Sequence, residues 1–282
     1  YVVGGLYGNE PALTEVLRMR ERESVPPTLV FNGDFNWFDI DDDGFSAINE
    51  TVLSHVGLRG NVETEMASND NDSGCGCSYP DTVPEVEVER SNRIMVSLRT
   101  TARRHPEIIK RLAQLPMNIV AQVGTQRIGI VHGDAESLAG WNFDVTSLDD
   151  PALAETFREI FSSSEVNGFA SSHTCLPALR QLHADSGWVI NNGAAGMPNF
   201  ASTQFGLLSR ISIFPPEPGS SLYGLRVGGI YIDALPIRYD AARWQQKFLA
   251  NWAPGSPAYD SYYSRIVSGP NFDLARAQPK AR

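Results

Sequence analysis

Short apolar runs recur along the chain, and most of them stop at a small polar cluster containing glycine. Tyr1-Val2-Val3 leads to Gly5-Leu6-Tyr7-Gly8-Asn9, Thr28-Leu29-Val30-Phe31 to Asn32-Gly33-Asp34, and Val56-Gly57-Leu58 to Arg59-Gly60-Asn61-Val62-Glu63. Further on, Arg127 to Val131 leads to His132-Gly133-Asp134, Gly168-Phe169-Ala170-Ser171 to Ser172-His173-Thr174-Cys175, and the run 187–190 to Asn191-Asn192-Gly193. Runs of this length between turn formers predict buried strands. Met117 to Val123, Phe205 to Phe214 and Leu222 to Asp233 predict further strands. Helical spacing appears between them. Pro11 to Arg22 places Leu13, Val16 and Leu17 on one face, and Phe45 to His55, Pro151 to Phe161 and Asp240 to Trp252 read likewise. The stretch from Arg93 to Leu115 is helical, with Pro106 dividing it in two. Alternating strands and helices are α/β grammar, and such sheets gather ligands at the carboxyl ends of their strands.

Two stretches stand outside this pattern. Asp41-Asp42-Asp43-Gly44 reads as a loop. It lacks the alternating oxygen ligands and the closing Glu of a calcium-binding EF-hand loop. Residues 67–92 have no periodicity, are rich in turn formers and contain Cys75-Gly76-Cys77. Long loops of this kind are functional or disordered, and the two cysteines favour order. The Pro-, Gly- and Tyr-rich tail reads as surface packing or a partner contact.

Composition narrows the partners. The 282 residues are 42% hydrophobic and 20% charged, with net charge −10. No basic stripe marks a nucleic-acid surface. No run of eighteen apolar residues exists, so no transmembrane helix is expected. The chain opens at Tyr1 inside a predicted strand, so its true N-terminus is expected to lie upstream and a missing leader carries no weight. The three cysteines read as reduced thiols or metal ligands of a cytoplasmic protein, since Cys75 and Cys77 stand too close in sequence for an easy mutual disulfide. A homo-oligomer is left open.

Four of the polar clusters share one chemistry. Asp34 offers a carboxylate, Asn61 an amide oxygen, and His132 and His173 imidazoles. Each follows an apolar strand beside a small residue that lets the side chain turn into a common crevice. A mixed nitrogen and oxygen set of this kind suits Zn, Fe or Mn.

The order and spacing of these clusters over residues 1–215 resemble the calcineurin-like metallophosphoesterases. The resemblance implies a four-layer α/β sandwich of two mixed sheets flanked by helices, with residues 216–282 as a C-terminal extension packed on the same domain. It further implies two metal ions, with Asp34 bridging them and Asn61, His132 and His173 completing the second-metal set. The first-metal set is altered. Gly5 and Tyr7 stand where the family has Asp and His, and Cys175 replaces the last histidine. A non-histidine residue, Val62, follows Asn61. The expectation drawn from this pattern is a rebuilt first-metal site of Asp34, Cys75 and/or Cys77, and Cys175, holding Zn or Fe. Three plainer readings stand beside it: Cys175 as a small buried residue, Cys75 and Cys77 as a separate knuckle or idle loop, and a dead first-metal site.

The function this implies is hydrolysis of a small phosphomonoester or phosphodiester by a metal-activated hydroxide. The catalytic candidates are Asp34, Asn61, His132 and Asp134, with Asp134, Glu63 or Tyr7 as leaving-group acid. The alternatives are a non-catalytic metal-binding scaffold on the same fold and a thiol-dependent reaction at an iron–thiolate centre. A Ser-His-Asp hydrolase is disfavoured, because no Gly-x-Ser-x-Gly elbow occurs.

Overall fold

The computed structural model describes residues 1–68, 74–182 and 187–279. Positions 69–73 of the Cys-containing stretch 67–92 lie outside the described residues. Among the described residues, eleven strands form two mixed sheets. The six-stranded sheet is built from β1 (Val2–Val3), β2 (Val30–Asn32), β3 (Val56–Leu58), β9 (Gly206–Ser212), β10 (Tyr223–Val227) and β11 (Ile230–Ile237), in the order β10-β11-β9-β1-β2-β3. The five-stranded sheet contains β4 (Asn118–Val123), β5 (Gln126–Val131), β6 (Gly168–Ser171), β7 (Pro177–Gln181) and β8 (Trp188–Asn192), in the order β4-β5-β6-β8-β7. Strands β1, β2 and β3 run parallel, as do β5, β6 and β8, while β9, β10 and β11 in the first sheet and β4 and β7 in the second pair antiparallel.

Strand alternation sorts the side chains into two cores. Val2, Val30 and Leu58 face the second sheet and pack with Ile128, Ile130 and Leu207. Val3 and Phe31 face the other way, into a core shared with helices α1 (Glu10–Arg22), α2 (Asp42–Val52) and α4 (Glu85–Ala102). α3 (Asn61–Ala67) and α5 (Pro106–Ala113) flank α4, while α6 (Val145–Asp149) and α7 (Ala154–Ser164) cover the five-stranded sheet with Leu148, Phe157 and Ile160. The result is the expected sandwich of two mixed sheets between helical layers.

Residues from 216 onward add β10 and β11 to the edge of the six-stranded sheet, then α8 (Ala241–Asn251), α9 (Pro257–Ser268) and α10 (Leu274–Ala277). Trp244, Phe248 and Trp252 join the same core as Phe31 and Phe38. The expected strand over Leu222 to Asp233 is a hairpin, broken at Gly228-Gly229. The loop expected at Asp41–Gly44 is the start of α2. Asp41 caps the helix by accepting from Gly44 N at 2.8 Å, and acidic residues suit a helix N-terminus. The Tyr-rich tail is also more ordered than its composition suggests, because Ser256 caps α9 and Pro257 occupies its first turn.

Candidate metal centre

All six sequence clusters meet at one rim, where the carboxyl ends of the parallel strands from both sheets converge. Backbone and side-chain bonds knit that rim together. Gly5 N donates to Gly33 O (3.1 Å), Ala195 N to Gly4 O (2.9 Å), Ser172 N to His132 O (3.1 Å), and Asn32 Nδ2 to Val131 O (2.7 Å). Asn9, Asn191 and Asn192 serve as braces. Asn9 caps α1 and donates to Gly196 O, Asn191 donates to Thr174 Oγ1, and Asn192 donates to Gly4 O and Leu207 O.

Asp34, Asn61, His132 and His173 come together at this rim, all buried. His132 Nε2 lies 3.1 Å from Asn61 Oδ1, 3.2 Å from His173 Nδ1 and 3.3 Å from Asp34 Oδ2. The proton positions follow from the outer partners. His132 Nδ1 is 2.8 Å from the Asn32 carbonyl, and His173 Nε2 is 3.1 Å from the Cys77 carbonyl. A carbonyl only accepts, so each of those nitrogens carries the hydrogen, and the neutral rings turn a lone pair inward. Asn61 Nδ2 donates to Cys75 O at 2.9 Å, which turns Oδ1 inward as well. Four acceptors therefore face one point with no donor between them, and a cation satisfies that arrangement.

The spacing fits one metal ion. Ligand atoms at the corners of a tetrahedron about 2.1 Å from an ion lie roughly 3.4 Å apart, close to the three separations from His132 Nε2, and the ligand atoms of Asp34, His132 and His173 all lie within 4.8 Å of one another. Electrostatics also favours positive charge beside Asp34. Burial opposes charge on His132, but the Asp34 carboxylate outweighs it and raises the His132 pKa. Burial and the neighbouring His132 push His173 down to about 4. Asp34 is held below its ordinary value by His132 and His173 against the effect of its burial.

The first-metal side is built differently from the expected thiolate site. Cys75 and Cys77 form a disulfide with each other. The expectation of three reduced thiols is therefore corrected, and with it goes the thiol argument for a reducing compartment. Gly76, at φ +65°, folds the chain back and brings the two Cα atoms to 5.3 Å, inside the ordinary disulfide range. In this form neither sulfur is a thiolate ligand. The loop acts on the acceptor cluster through its backbone instead, since Cys75 O orients Asn61 and Cys77 O orients His173. Trp141 Nε1 also donates to Cys77 O, at 3.2 Å. α4 holds this loop in place, with Asn92 Oδ1 accepting from Cys75 N at 2.9 Å.

Gly5, Tyr7 and Cys175 form one filled unit. The Tyr7 hydroxyl lies 2.9 Å from Cys175 Sγ, and that sulfur donates its own hydrogen to His173 O at 3.2 Å, so Tyr7 is the donor of the pair. A Cβ added at Gly5 would lie 2.8 Å from the Tyr7 ring, and Gly5 itself has φ +65°. Tyr7 thus occupies the space into which a ligand at position 5 would reach. Tyr7, Asp34 and Cys175 all have left-handed backbones, with φ of 56°, 54° and 60°. Strain of this kind concentrates at functional sites. Among the described residues, the clustered His, Cys, Asp and Glu groups able to hold an ion are Asp34, His132 and His173. The residues present do not fit a first-metal ion.

Two acid candidates are otherwise engaged. Asp134 accepts from the backbone of Glu136, Ser137 and Asn142, which shapes its own loop. Glu63 accepts from the backbone of Asp34, Phe35 and Gly60. Burial and the nearby Asp34 carboxylate push Glu63 up to about 7 against those donors. Both residues organise the backbone around the cluster.

A cavity of about 170 Å³ opens beside the acceptor cluster, lined by Asp34, Asn61 and His173 and by residues the motifs did not point to: Trp37, Tyr79, Trp141, Tyr262 and Arg265. The cap at Ser256-Pro257 and the i, i+3 spacing of Tyr262 and Arg265 were the available signals for the last two.

The fold is a metallophosphoesterase-like sandwich of two mixed sheets between helical layers. No protein-family model and no curated protein matches the sequence. Among solved structures, the chain is similar to the hypothetical protein PH1004 from Pyrococcus horikoshii OT3, at 16% identity and TM-score 0.64 over 96% of this chain and 98% of that one. It is also similar to a metallophosphoesterase from Sphaerobacter thermophilus, at 16% identity and TM-score 0.61 over 95% of this chain and 98% of that one. The chain therefore has the calcineurin-like metallophosphoesterase fold, with a candidate divalent-metal site at the rim. Among the described residues no helix is long and apolar enough to cross a membrane.

Proposed function

We propose that the protein is a metal-dependent phosphoesterase for small phosphate esters, with one metal ion held by Asp34, Asn61, His132 and His173. The observation that carries this reading is the convergence of four acceptor atoms with no donor among them. When bound, a divalent ion there supplies Lewis-acid charge to a phosphoryl oxygen and activates water. The chain's residues do the rest. Asn32 O and Cys77 O fix the two imidazole tautomers, Cys75 O fixes the Asn61 amide, and Val62 N holds Asp34 Oδ1 at 3.2 Å. Glu63 and Asp134 are committed to backbone donors, and the Tyr7 proton is directed at Cys175. Esters with good leaving groups, which need no protonation, are the favoured substrates. Such a substrate is a small phosphorylated molecule, and the net charge of −10 disfavours nucleic acid.

A second reading concerns the reduced protein. Cys77 and Cys175 line the same cavity. Opening the disulfide would offer thiolates to a second Zn or Fe ion, as the dinuclear expectation requires.

Metal counts per chain with and without dithiol reductant, together with hydrolysis of bis(4-nitrophenyl) phosphate and 4-nitrophenyl phosphate, test both readings. One ion in either state, with turnover lost in His132→Ala and Asn61→Ala, supports the one-metal enzyme. Two ions only after reduction supports the thiolate site. A loaded protein that hydrolyses neither ester is a metal-binding scaffold, and the enzyme reading falls.

A further inference from the structure

The cavity beside the acceptor cluster has walls of unusual composition. Trp37 comes from the loop after β2, Tyr79 from the segment after the Cys75–Cys77 loop, Trp141 from the loop after β5, and Tyr262 with Arg265 from α9. Four aromatic rings and one cation thus reach the same space from four separate segments. The Trp141 ring packs edge-on against the His173 ring at 5.5 Å and stands 6.1 Å from Tyr79. A planar group on this wall would therefore sit directly beside the cluster. An apolar cavity of about 150 Å³ holds benzene, so the volume here, about 170 Å³, suits one ring and not an oligomer.

Arg265 supplies the charge. Its Nε donates to Pro198 O at 3.2 Å and its Nη2 to Cys175 O at 2.6 Å. These bonds fix the guanidinium on the Cys175 side of the cavity, the side on which Tyr7 and Gly5 leave no first-metal set. Among the described residues Nη1 has no hydrogen-bond partner. A planar guanidinium with a spare donor is suited to phosphate oxygens.

We propose that this cavity binds a phosphate ester of a single aromatic ring, with the phosphoryl group between the acceptor cluster and Arg265 and the ring against the aromatic wall. Arg265 then provides the second positive charge that a first metal ion would otherwise bring. This rests on the metal-centre reading above and deepens it by naming the substrate class.

Phenylphosphonate and methylphosphonate carry the same head group, and neither has an ester bond to hydrolyse. Their binding to the zinc-loaded protein is read from tryptophan fluorescence, with bound zinc counted in every variant. Phenylphosphonate is expected to bind roughly tenfold tighter or more, as ring contacts of this kind allow. Arg265→Gln should weaken both ligands about equally. Tyr262→Leu or Tyr79→Leu should erase most of the phenyl preference and leave methylphosphonate binding unchanged, and either variant serves if the other fails to fold. Equal affinity for the two phosphonates, or indifference to Arg265→Gln, with zinc bound and aryl esters hydrolysed, would overturn the inference and leave the phosphoesterase reading intact. A phenyl preference with the expected variant pattern but no turnover would uphold the inference and sink the enzyme. Absence of bound zinc in the parent protein would overturn both.

Discussion

Position 5 shows how closely the site residues depend on one another. Gly5 has no side chain and lies under the Tyr7 ring, while the Tyr7 hydroxyl rests on Cys175. An aspartate introduced at position 5 alone meets that ring, so Gly5→Asp should destabilise the fold by about 1–3 kcal/mol. Tyr7→His removes the obstruction, and both Asp and His tolerate a left-handed backbone better than most residues. In Gly5→Asp/Tyr7→His the penalties should therefore be less than additive, with a coupling of roughly 0.5–3 kcal/mol. Urea unfolding of the two single variants and the double variant measures it. Strict additivity would show that the Tyr7 ring does not fill the space beside Gly5. Adding Cys175→His would complete a ligand set at these positions, and a second bound zinc ion per chain is expected in that triple variant alone.

The acceptor cluster was legible at this scale because Asp34, Asn61, His132 and His173 each sit one to three residues past a recognisable strand. The roles of Cys75 and Cys77 were not. Sequence shows two sulfurs near a depleted site, but the loop contributes carbonyl oxygens, which every residue possesses and no motif marks. Spacing alone also suggested that the two cysteines stood too close to pair, because it does not register that Gly76 reverses the chain between them.

At the scale of elements, helices deliver side chains to places their own sequence does not advertise. α2 is tied to α8 through Asp41, whose carboxylate accepts from Gly44 N, from Lys247 Nζ at 2.6 Å and from Asn251 Nδ2 at 2.9 Å. Burial opposes the charged form of Asp41, but the bonds from Lys247, Asn251 and Gly44 outweigh it and hold the group below its ordinary value. A carboxylate with a depressed folded pKa stabilises the fold above its unfolded pKa, about 3.9. That contribution is lost as pH falls through the folded value. The Asp41 and Lys247 side chains are 30% and 29% exposed, so solvent screening keeps the effect near the scale of surface pairs, roughly 0.5–1 kcal/mol. Asp41→Asn should be less stable than the parent protein by that amount at pH 7, and the gap should close as pH falls through the folded pKa of Asp41, below its ordinary value. Urea midpoints measured from pH 7 downward decide it, and a gap that persists below that folded pKa would mean the carboxylate charge is not what ties the helices. Reading Asp41-Asp42-Asp43-Gly44 as a loop failed for the same reason that makes the cap work. Acidic residues before a glycine suit either a turn or a helix start, and only the partners on α8 distinguish them.

For the molecule as a whole, the central question is whether the C-terminal extension is an addition or part of the fold. Phe38 sits at that junction, 1% exposed. Its ring meets Phe248 and Tyr262 at 5.1 Å and Trp244 at 6.3 Å, and its carbonyl accepts from Trp252 Nε1 at 3.0 Å. The loop after β2 that carries Asp34 therefore shares its packing with α8 and α9, the latter also bearing Tyr262 and Arg265. Losing this ring leaves a cavity between the two parts, and Phe38→Ala should cost about 3–5 kcal/mol. Because β11 pairs with β9 along Tyr231–Ile237 and both helices enter the same core, unfolding should remain one cooperative step. Far-ultraviolet circular dichroism follows all helices, whereas tryptophan fluorescence weights the extension through Trp244 and Trp252. Their midpoints should fall together in Phe38→Ala. If fluorescence melts first, the extension is a separate unit, and the aromatic wall with Arg265 would be positioned by a body able to detach from the candidate metal-binding rim.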